Sequence, residues 1–204
     1  MNMMFTVTLN LEGKTILIVG GGKVAVRRIR KLLEHKAEII VVSPHVDDEI
    51  HEWDKQGKIK VKKRCLEKKD LAHVFLVVVA TNQLDALDIV EKEKSEHQLI
   101  NMASAHTKGN VYIPASFSRG DLSVAVSTNG ASPLLTKKLI SELKVQFDDS
   151  YTQYTSFLKQ CREIIHSMNL PHVEKYKLLT EATEEELRLS ERSQEQFLKK
   201  LKNV

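Results

Sequence analysis

The 204-residue sequence has only two cysteines, Cys65 and Cys161, and no Cys-x-x-Cys pair. A disulfide framework and a structural zinc site both need several cysteines at close spacing, so neither is expected, and we predict no bound metal. No run approaches the ~20 apolar residues that cross a bilayer. The first residues also lack the basic and continuous apolar stretches of a secretory signal. We therefore expect a cytoplasmic protein without a membrane segment.

Aromatic residues are also scarce, at 5% of the chain. Proteins that bind single-stranded nucleic acids stack bases on aromatic side chains, and no nucleic-acid-binding motif is present, so we expect no nucleic-acid partner. The net charge of +4 comes from the first 140 residues, because the remainder is nearly neutral. This excess indicates an anionic ligand such as a phosphate or a polycarboxylate, or only a solubilising surface. We interpret the basic run Lys60–Arg64 as solvated surface.

Apolar residues make up 42% of the chain, enough for a core. Over residues 1–112, short apolar runs alternate with helical spacings, as in a parallel sheet with helices on both faces. The runs show no polar alternation, which is typical of strands buried on both faces. We predict an α/β domain of the Rossmann type, with strands at 15–19, 38–42, 59–61, 76–80 and 99–102 and helices at 23–35 and 85–95.

The pattern changes after this domain. Residues 111–114 and 122–126 have the pattern of two strands joined by the turn Arg119-Gly120-Asp121. Ser132-Pro133 then opens a helix, since proline is favoured at the first helical position. This β/α segment is short, and we assign it residues 113–149.

The remainder, residues 150–204, shows only helical patterns and predicts a helical C-terminal domain. Thr183–Glu186 has the pattern of a capping box that opens a last helix. An apolar stripe recurs at three- and four-residue steps and indicates core or dimer packing; its members are Tyr154, Leu158, Cys161, Ile165 and Met168.

The first predicted strand ends in a glycine motif, Gly20-Gly21-Gly22-Lys23-Val24-Ala25. The motif follows a strand and begins a helix, which is the context of a dinucleotide-binding turn. Gly20 makes the tight turn, Gly22 lets a pyrophosphate approach the backbone, and the first helical residues, Lys23 and Val24, offer free N–H groups. The other interpretation is a glycine-rich turn without a ligand.

A dinucleotide site usually has an acidic residue at the end of the second strand, where it binds the ribose hydroxyls. Here that position holds Ser43-Pro44-His45, with no arginine to bind a 2′-phosphate and only His45 as a candidate cation for one. We therefore predict NAD rather than NADP, with Ser43 and His45 near the ribose. Thr81-Asn82 follows the fourth strand, at the edge of the sheet where ligands bind.

A second loop between a strand and a helix, residues 127–133, predicts a second anion-binding helix N-terminus. We expect a second anionic ligand here, although a capped helix with solvated lysines explains the same residues. No tyrosine is followed by a lysine four residues later, so the short-chain dehydrogenase mechanism is excluded. The candidate ligand-binding residues are Arg119, Ser127, Thr128, Asn129, Gly130, Ser132, Lys137 and Lys138.

Three segments together, at residues 20–25, 79–82 and 126–133, resemble the precorrin-2 dehydrogenase family, the N-terminal module of siroheme synthases. The resemblance implies an NAD-binding domain, a dimerisation segment, a helical C-terminal domain and a homodimer. It implies oxidation of precorrin-2, a tetrapyrrole with eight carboxylates, to sirohydrochlorin on the way to siroheme or cobalamin. Some members also insert iron. Asn101, in the fifth strand, is implied to lie near the cofactor, and the 127–133 loop near the substrate.

The sequence departs from the family after the fifth strand. The family pattern Asn-Val-Val-Asp, with the Asp as proposed general base, is replaced by Asn101-Met102-Ala103-Ser104. Either Ser104 marks a weakened enzyme, or His106 takes the proton, or the proton leaves to water. We predict NAD-dependent dehydrogenation with weak or absent chelatase activity. The alternative is a non-catalytic, NAD-responsive binding protein on the same fold.

Overall fold

The computed structural model describes residues 4–103 and 109–203. The chain separates into two compact units, residues 1–113 and 114–204. Among the described residues, no helix is long and apolar enough to cross a membrane.

The first unit is a parallel sheet of five strands in the order β3-β2-β1-β4-β5. This order and the intervening helices confirm the predicted Rossmann-type α/β fold. Its elements are β1 (Thr15–Val19), α1 (Lys23–Leu32) with a 3₁₀ turn at Leu33–His35, β2 (Glu38–Val42), α2 (Asp48–Lys55), β3 (Lys60–Lys62), a 3₁₀ turn at Lys68–Leu71, β4 (Leu76–Val79), α3 (Leu84–Glu93) and β5 (Leu99–Met102).

The central strands of the sheet, β1 and β4, are buried on both faces, which explains their apolar runs. In β1, Ile16 and Ile18 pack with the helix residues of α1 and α2. The alternate residues Leu17 and Val19 pack on the other face, against α3 and the segment before β4. Since both side-chain directions of β1 end in a core, its four buried positions, 16–19, are all apolar.

Two features of this unit differ from the sequence interpretation. Helix α2 was not predicted, because only Ile50 of its eight residues is buried. The basic run at 60–64 is not simply solvated: Lys62 and Arg64 both bind Asp70, whose side chain is only 1% exposed. The distances to its carboxylate oxygens are 2.8 Å from Lys62 Nζ and 2.6 Å from an Arg64 guanidinium nitrogen.

The second unit begins with an antiparallel hairpin and continues as helices. Its elements are β6 (Ala115–Arg119), β7 (Leu122–Val126), α4 (Pro133–Gln146), α5 (Ser150–Ser167), α6 (His172–Glu181), α7 (Glu185–Leu189) and α8 (Glu191–Lys202). The strand predicted at 111–114 is wrong, and the strand that pairs with β7 is 115–119. Pro114 has no N–H to donate to a ladder, and the N–H of Val111 instead donates to the carbonyl of Ile100.

The helices of this unit enclose a small core of their own. Tyr154, Cys161 and Ile165 of the predicted stripe are buried there, together with Phe157 and Phe197 from outside it. Leu158 and Met168 lie at its margin.

The predicted capping box at Thr183–Glu186 is wrong. The hydroxyl of Thr183 donates backwards to the carbonyl of Thr180 and is not the helix cap. The last helix, α8, is instead capped by Ser190, whose hydroxyl accepts from the N–H of Ser193.

Candidate cofactor-binding site

The glycine turn after β1 lies between the loops that follow β2 and β4. Gly20 has φ +109°, and a Cβ there would lie 2.6 Å from the carbonyl oxygen of Ala80. A Cβ on Gly21 would lie 2.3 Å from the carbonyl oxygen of His45. The turn is therefore closely packed on two sides, and neither position accepts a side chain without displacing backbone.

Gly22 is in a different position, because no atom lies within 4 Å of where its Cβ would be. Its φ of −90° is accessible to any residue, so neither strain nor packing within the described residues requires glycine here. Gly22 is also the N-cap of α1, and no side chain caps that helix. The first N–H groups of α1 are thus open to an anion, and the open space beside Gly22 fits a pyrophosphate.

A cavity of about 410 Å³ lies at this turn. It sits where the chain order of the sheet reverses, with β2 on one side of β1 and β4 on the other, which is where doubly wound sheets bind ligands. Its lining residues come from the glycine turn and the loops after β2 and β4: Gly20, Gly21, Gly22, Lys23, Ser43, Pro44, His45, Val46, Asp47, Ala80, Thr81 and Gln83.

Most of the predicted cofactor residues meet in this cavity, but Val24, Asn82 and Asn101 do not line it. Asn82 is exposed. Asn101 is buried in β5, and its amide donates to the carbonyl of Val111 at 2.9 Å. Among the described residues its side-chain oxygen has no partner, which leaves a buried acceptor for a donor group.

Ser43 is buried, and its hydroxyl donates to the carbonyl of His45 at 2.6 Å. The serine therefore orders the loop after β2, and its proton is already used within the protein. Thr81 has a similar local role, because its hydroxyl accepts from the N–H of Gln83 at 3.2 Å.

Asp47 is a lining residue that sequence reasoning missed. Its Oδ2 lies 2.7 Å from Nζ of Lys23, so the first residue of α1 forms an ion pair with the N-cap of α2. This hydrogen bond raises the pKa of Lys23 and lowers the pKa of Asp47. The sequence does mark Asp47 as a helix N-cap, because an Asp that precedes a helix is a usual capping residue. That Asp47 lies beside the glycine turn, however, depends on the tertiary fold and cannot be read from the local sequence.

The predicted second anion site, at the N-terminus of α4, lies in the second unit and differs from that of α1. Ser132 caps α4 by accepting from the N–H of Leu135 at 3.1 Å. Thr128 Oγ1 accepts from the N–H of Ser132 and donates to its carbonyl. In the turn between Thr128 and Ser132, Asn129 and Gly130 have positive φ angles. Part of this helix N-terminus is thus already satisfied by the protein.

The cationic side chains around that loop have different surroundings. Arg119 Nε lies 3.0 Å from a carboxylate oxygen of Asp149, and its guanidinium stacks over the ring of Phe117. Lys138 lies 3.9 Å from Glu142, and Lys137 is exposed.

Ser104 and His106, the candidates for the proton-accepting position, lie outside the described residues. Within the described part of the chain, no group of His, Cys, Asp and Glu side chains is arranged to hold a metal ion.

A larger cavity, of about 610 Å³, lies at the opposite edge of the sheet, near the starts of β4 and β5. Two lysines that line it are paired with glutamates: Lys68 with Glu93 and Lys69 with Glu67, each at 2.7 Å. It has neither a glycine turn nor a free helix N-terminus, so the smaller cavity is the better cofactor site.

The sheet order, the glycine turn and the uncapped α1 define a Rossmann-type dinucleotide-binding protein. Comparison with known proteins agrees: residues 7–115 match the family model for putative NAD(P)-binding domains. Residues 119–144 match the model for the central part of sirohaem biosynthesis proteins, and residues 151–197 match the SirC C-terminal domain.

The chain belongs to the precorrin-2 dehydrogenase family. It is 47% identical to the precorrin-2 dehydrogenase of Priestia megaterium, over 97% of this chain and 98% of that protein. It is 35% identical to the enzyme of the same name from Bacillus subtilis, over 78% and 98%. A siroheme synthase of Xylella fastidiosa is 30% identical, but only 37% of its length is covered. The solved structure titled SirC, precorrin-2 dehydrogenase, superposes with a TM-score of 0.85 at 46% identity, covering 98% of this chain and all of that one.

Proposed function

We propose that this chain oxidises precorrin-2 to sirohydrochlorin with NAD⁺ as hydride acceptor. The observation that carries this proposal is the uncapped N-terminus of α1 beside the open position at Gly22, in a chain 47% identical to a precorrin-2 dehydrogenase over nearly its full length. An open turn of this kind binds a pyrophosphate through backbone N–H groups.

In this proposal the described residues hold and orient the cofactor. The N–H groups of Lys23 and Val24 bind the pyrophosphate, and the Ser43–His45 loop borders the adenosine. Asn101 lies outside the cavity lining, so its contact with the cofactor stays a prediction. When bound, NAD⁺ supplies a two-electron hydride acceptor. The protein's part is to hold the substrate carbon and the cofactor ring in a reactive orientation.

The substrate carries eight carboxylates, and the residues proposed to bind them are in the second unit. Lys137 is exposed, and the 127–132 loop presents the hydroxyl of Ser127. Arg119 is already paired with Asp149, so it binds a substrate carboxylate only if that carboxylate displaces Asp149 from its guanidinium. The family carboxylate is replaced by Ser104, so the proton leaves through His106 or water, and metal insertion is weak or absent.

The three segments predicted from the sequence remain part of the proposal: cofactor binding by 1–112, pairing of two copies by 113–149 and a helical domain at 150–204. Helix α4 supports the pairing, because none of its 14 residues is buried and its apolar residues Leu134 and Val145 are about four-fifths exposed.

Turnover is the direct test. The purified chain is incubated with precorrin-2 and NAD⁺, and the absorbances of sirohydrochlorin and NADH are followed together. We expect both products to form in equal amounts. Binding of both ligands without turnover would instead support a non-catalytic, NAD-responsive protein.

Iron insertion is tested separately, with Ser104→Asp as the matched variant that restores the family carboxylate. We expect the wild type to insert Fe²⁺ into sirohydrochlorin slowly, and the variant to be faster, while the rate of NADH formation changes less. Equal and rapid insertion by both proteins would contradict the proposal that Ser104 limits chelation.

A further inference from the structure

The cavity at the glycine turn has two residues of fixed charge in its lining, Lys23 and Asp47. They lie 2.7 Å apart and neutralise one another. Lys23 extends into solvent, with 85% of its side chain exposed, whereas Asp47 is 18% exposed. The carboxylate is therefore the fixed member of the pair, and it determines where the lysine charge is held.

Three contacts fix Asp47. Its N–H donates to the carbonyl of Gly21 at 2.8 Å, which fastens it to the glycine turn. Its Oδ1 accepts from the N–H of Glu49 at 3.2 Å as the N-cap of α2. Its remaining oxygen, Oδ2, binds Lys23. A carboxylate held in this way cannot turn away from an anion that enters the cavity.

The end of β2, where an acidic residue usually binds the ribose hydroxyls, carries a serine in this chain. At the end of β2, Ser43 is buried and donates its hydroxyl to the carbonyl of His45. Asp47 lies four residues further along and returns to the same cavity through its contact with Gly21. The acidic group that sequence reasoning expected at the end of the second strand is thus supplied from the start of α2.

We propose that Asp47 is the specificity-determining residue of this site, which selects NAD over NADP; this rests on the proposed function. An adenosine 2′-phosphate adds up to about two negative charges and needs an available cation. Lys23 is the lysine in the cavity lining, and Asp47 already binds it. Asp47 therefore withholds the cation that would bind the extra phosphate, while its carboxylate remains an acceptor for ribose hydroxyls.

Dissociation constants for NAD⁺ and NADP⁺, measured by titration calorimetry without substrate, test this assignment. Asp47→Asn removes the charge and keeps a side chain that caps helices well. We expect the wild type to bind NAD⁺ more tightly than NADP⁺. In Asp47→Asn the preference should fall about 10-fold or more, the effect of removing one charge at close range.

The matched control is Asp48→Asn, which makes the same charge change one residue further on, at an exposed position outside the cavity lining. Its preference for NAD⁺ should stay within about twofold of the wild type. Adding Lys23→Gln to Asp47→Asn should abolish any gain in NADP⁺ binding, because the freed lysine is the cation that the 2′-phosphate would use. Asp47→Ser is a second cap-forming variant if Asp47→Asn folds poorly.

The outcomes separate the two proposals. An unchanged preference in Asp47→Asn and Asp47→Ser, with NAD⁺ binding intact, overturns the role of Asp47 and leaves the proposed function standing. Tighter binding of NADP⁺ by the wild type also overturns it. A wild type that binds neither dinucleotide contradicts the proposed function itself.

Discussion

At the scale of single residues, Gly21 and Gly22 are neighbours whose replacement should have different effects. Gly22→Ala adds a methyl group where no atom lies within 4 Å, so the fold should be retained. The methyl group occupies the space proposed for the pyrophosphate, so NAD⁺ affinity should fall about 10-fold or more. Calorimetric titration and urea unfolding measure the two effects.

Gly21→Ala provides the comparison, because its Cβ would meet the backbone of His45 and Val46 at 2.3 and 2.8 Å. It should lower the free energy of unfolding by about 3 kcal/mol, as overpacking does. Wild-type NAD⁺ affinity in Gly22→Ala would remove that glycine from the proposed site.

Asp70 is a second residue whose role is structural and testable. Burial alone would raise its pKa, but hydrogen bonds from Arg64, Lys62 and the N–H of Glu67 outweigh this effect and hold the pKa well below its usual value. Its stabilisation is therefore complete above the unfolded-state pKa near 4 and is lost as the pH falls below it.

Asp70→Asn should lower the free energy of unfolding by about 2 kcal/mol at neutral pH, because charged hydrogen bonds to the carboxylate are lost. The difference from the wild type should narrow in urea titrations near pH 3. Asp88→Asn, at an exposed carboxylate paired with Lys92, should cost about 0.5 kcal/mol or less. An Asp70→Asn deficit that is independent of pH would contradict this assignment.

At the scale of elements, the loop before α4 distinguishes a cap from a ligand contact. Thr128→Ala removes the acceptor of the Ser132 N–H and should lower the free energy of unfolding by about 1 kcal/mol. Within the described part of the chain, Ser127→Ala removes hydrogen bonds to Asn129 alone, so stability should hardly change while the KM for precorrin-2 rises several-fold. Urea unfolding and steady-state kinetics separate the two, and an unchanged KM in Ser127→Ala would exclude it from substrate binding.

The elements also show what local sequence could predict. Strands β1, β2 and β5 were predicted with their observed bounds, because most residues of each strand are apolar and pack in the two clusters on either side of the sheet. Strand β6 was misplaced, because its sequence Ala-Ser-Phe-Ser-Arg has one large apolar residue. Its pairing depends on β7 and on the Gly120-Asp121 turn, which is information from outside the segment.

At the scale of the molecule, the glycine turn could be predicted from the sequence, but the residues that folding brings next to it could not. Asp47 reaches the turn because α2 packs against the same face of the sheet as α1, and the carbonyl of Gly21 accepts its N–H. Likewise, Asp70 meets Lys62 and Arg64 only because the chain folds back after β3. Charge counted along the chain could not distinguish these paired lysines and arginines from solvated ones.

Pairing of two copies through α4 is the proposal that concerns the whole molecule. Leu134 and Val145 are eleven residues apart, which is three helical turns, so they lie on one face of α4. They are 81% and 80% exposed, and Lys138 and Ser141 lie between them on the same exposed, mixed face of α4. The proposed homodimer would cover it.

The double variant Leu134→Glu with Val145→Glu should therefore shift the sedimentation coefficient from dimer to monomer, because burying a charge in an apolar interface is costly. Unfolding of each chain should be little affected by itself, since neither residue is part of a core. Val173→Glu, at an exposed apolar residue on α6, is the matched control and should remain dimeric. A double variant that sediments as the wild type does would place the interface elsewhere, and a wild type that is monomeric at all concentrations would contradict the pairing.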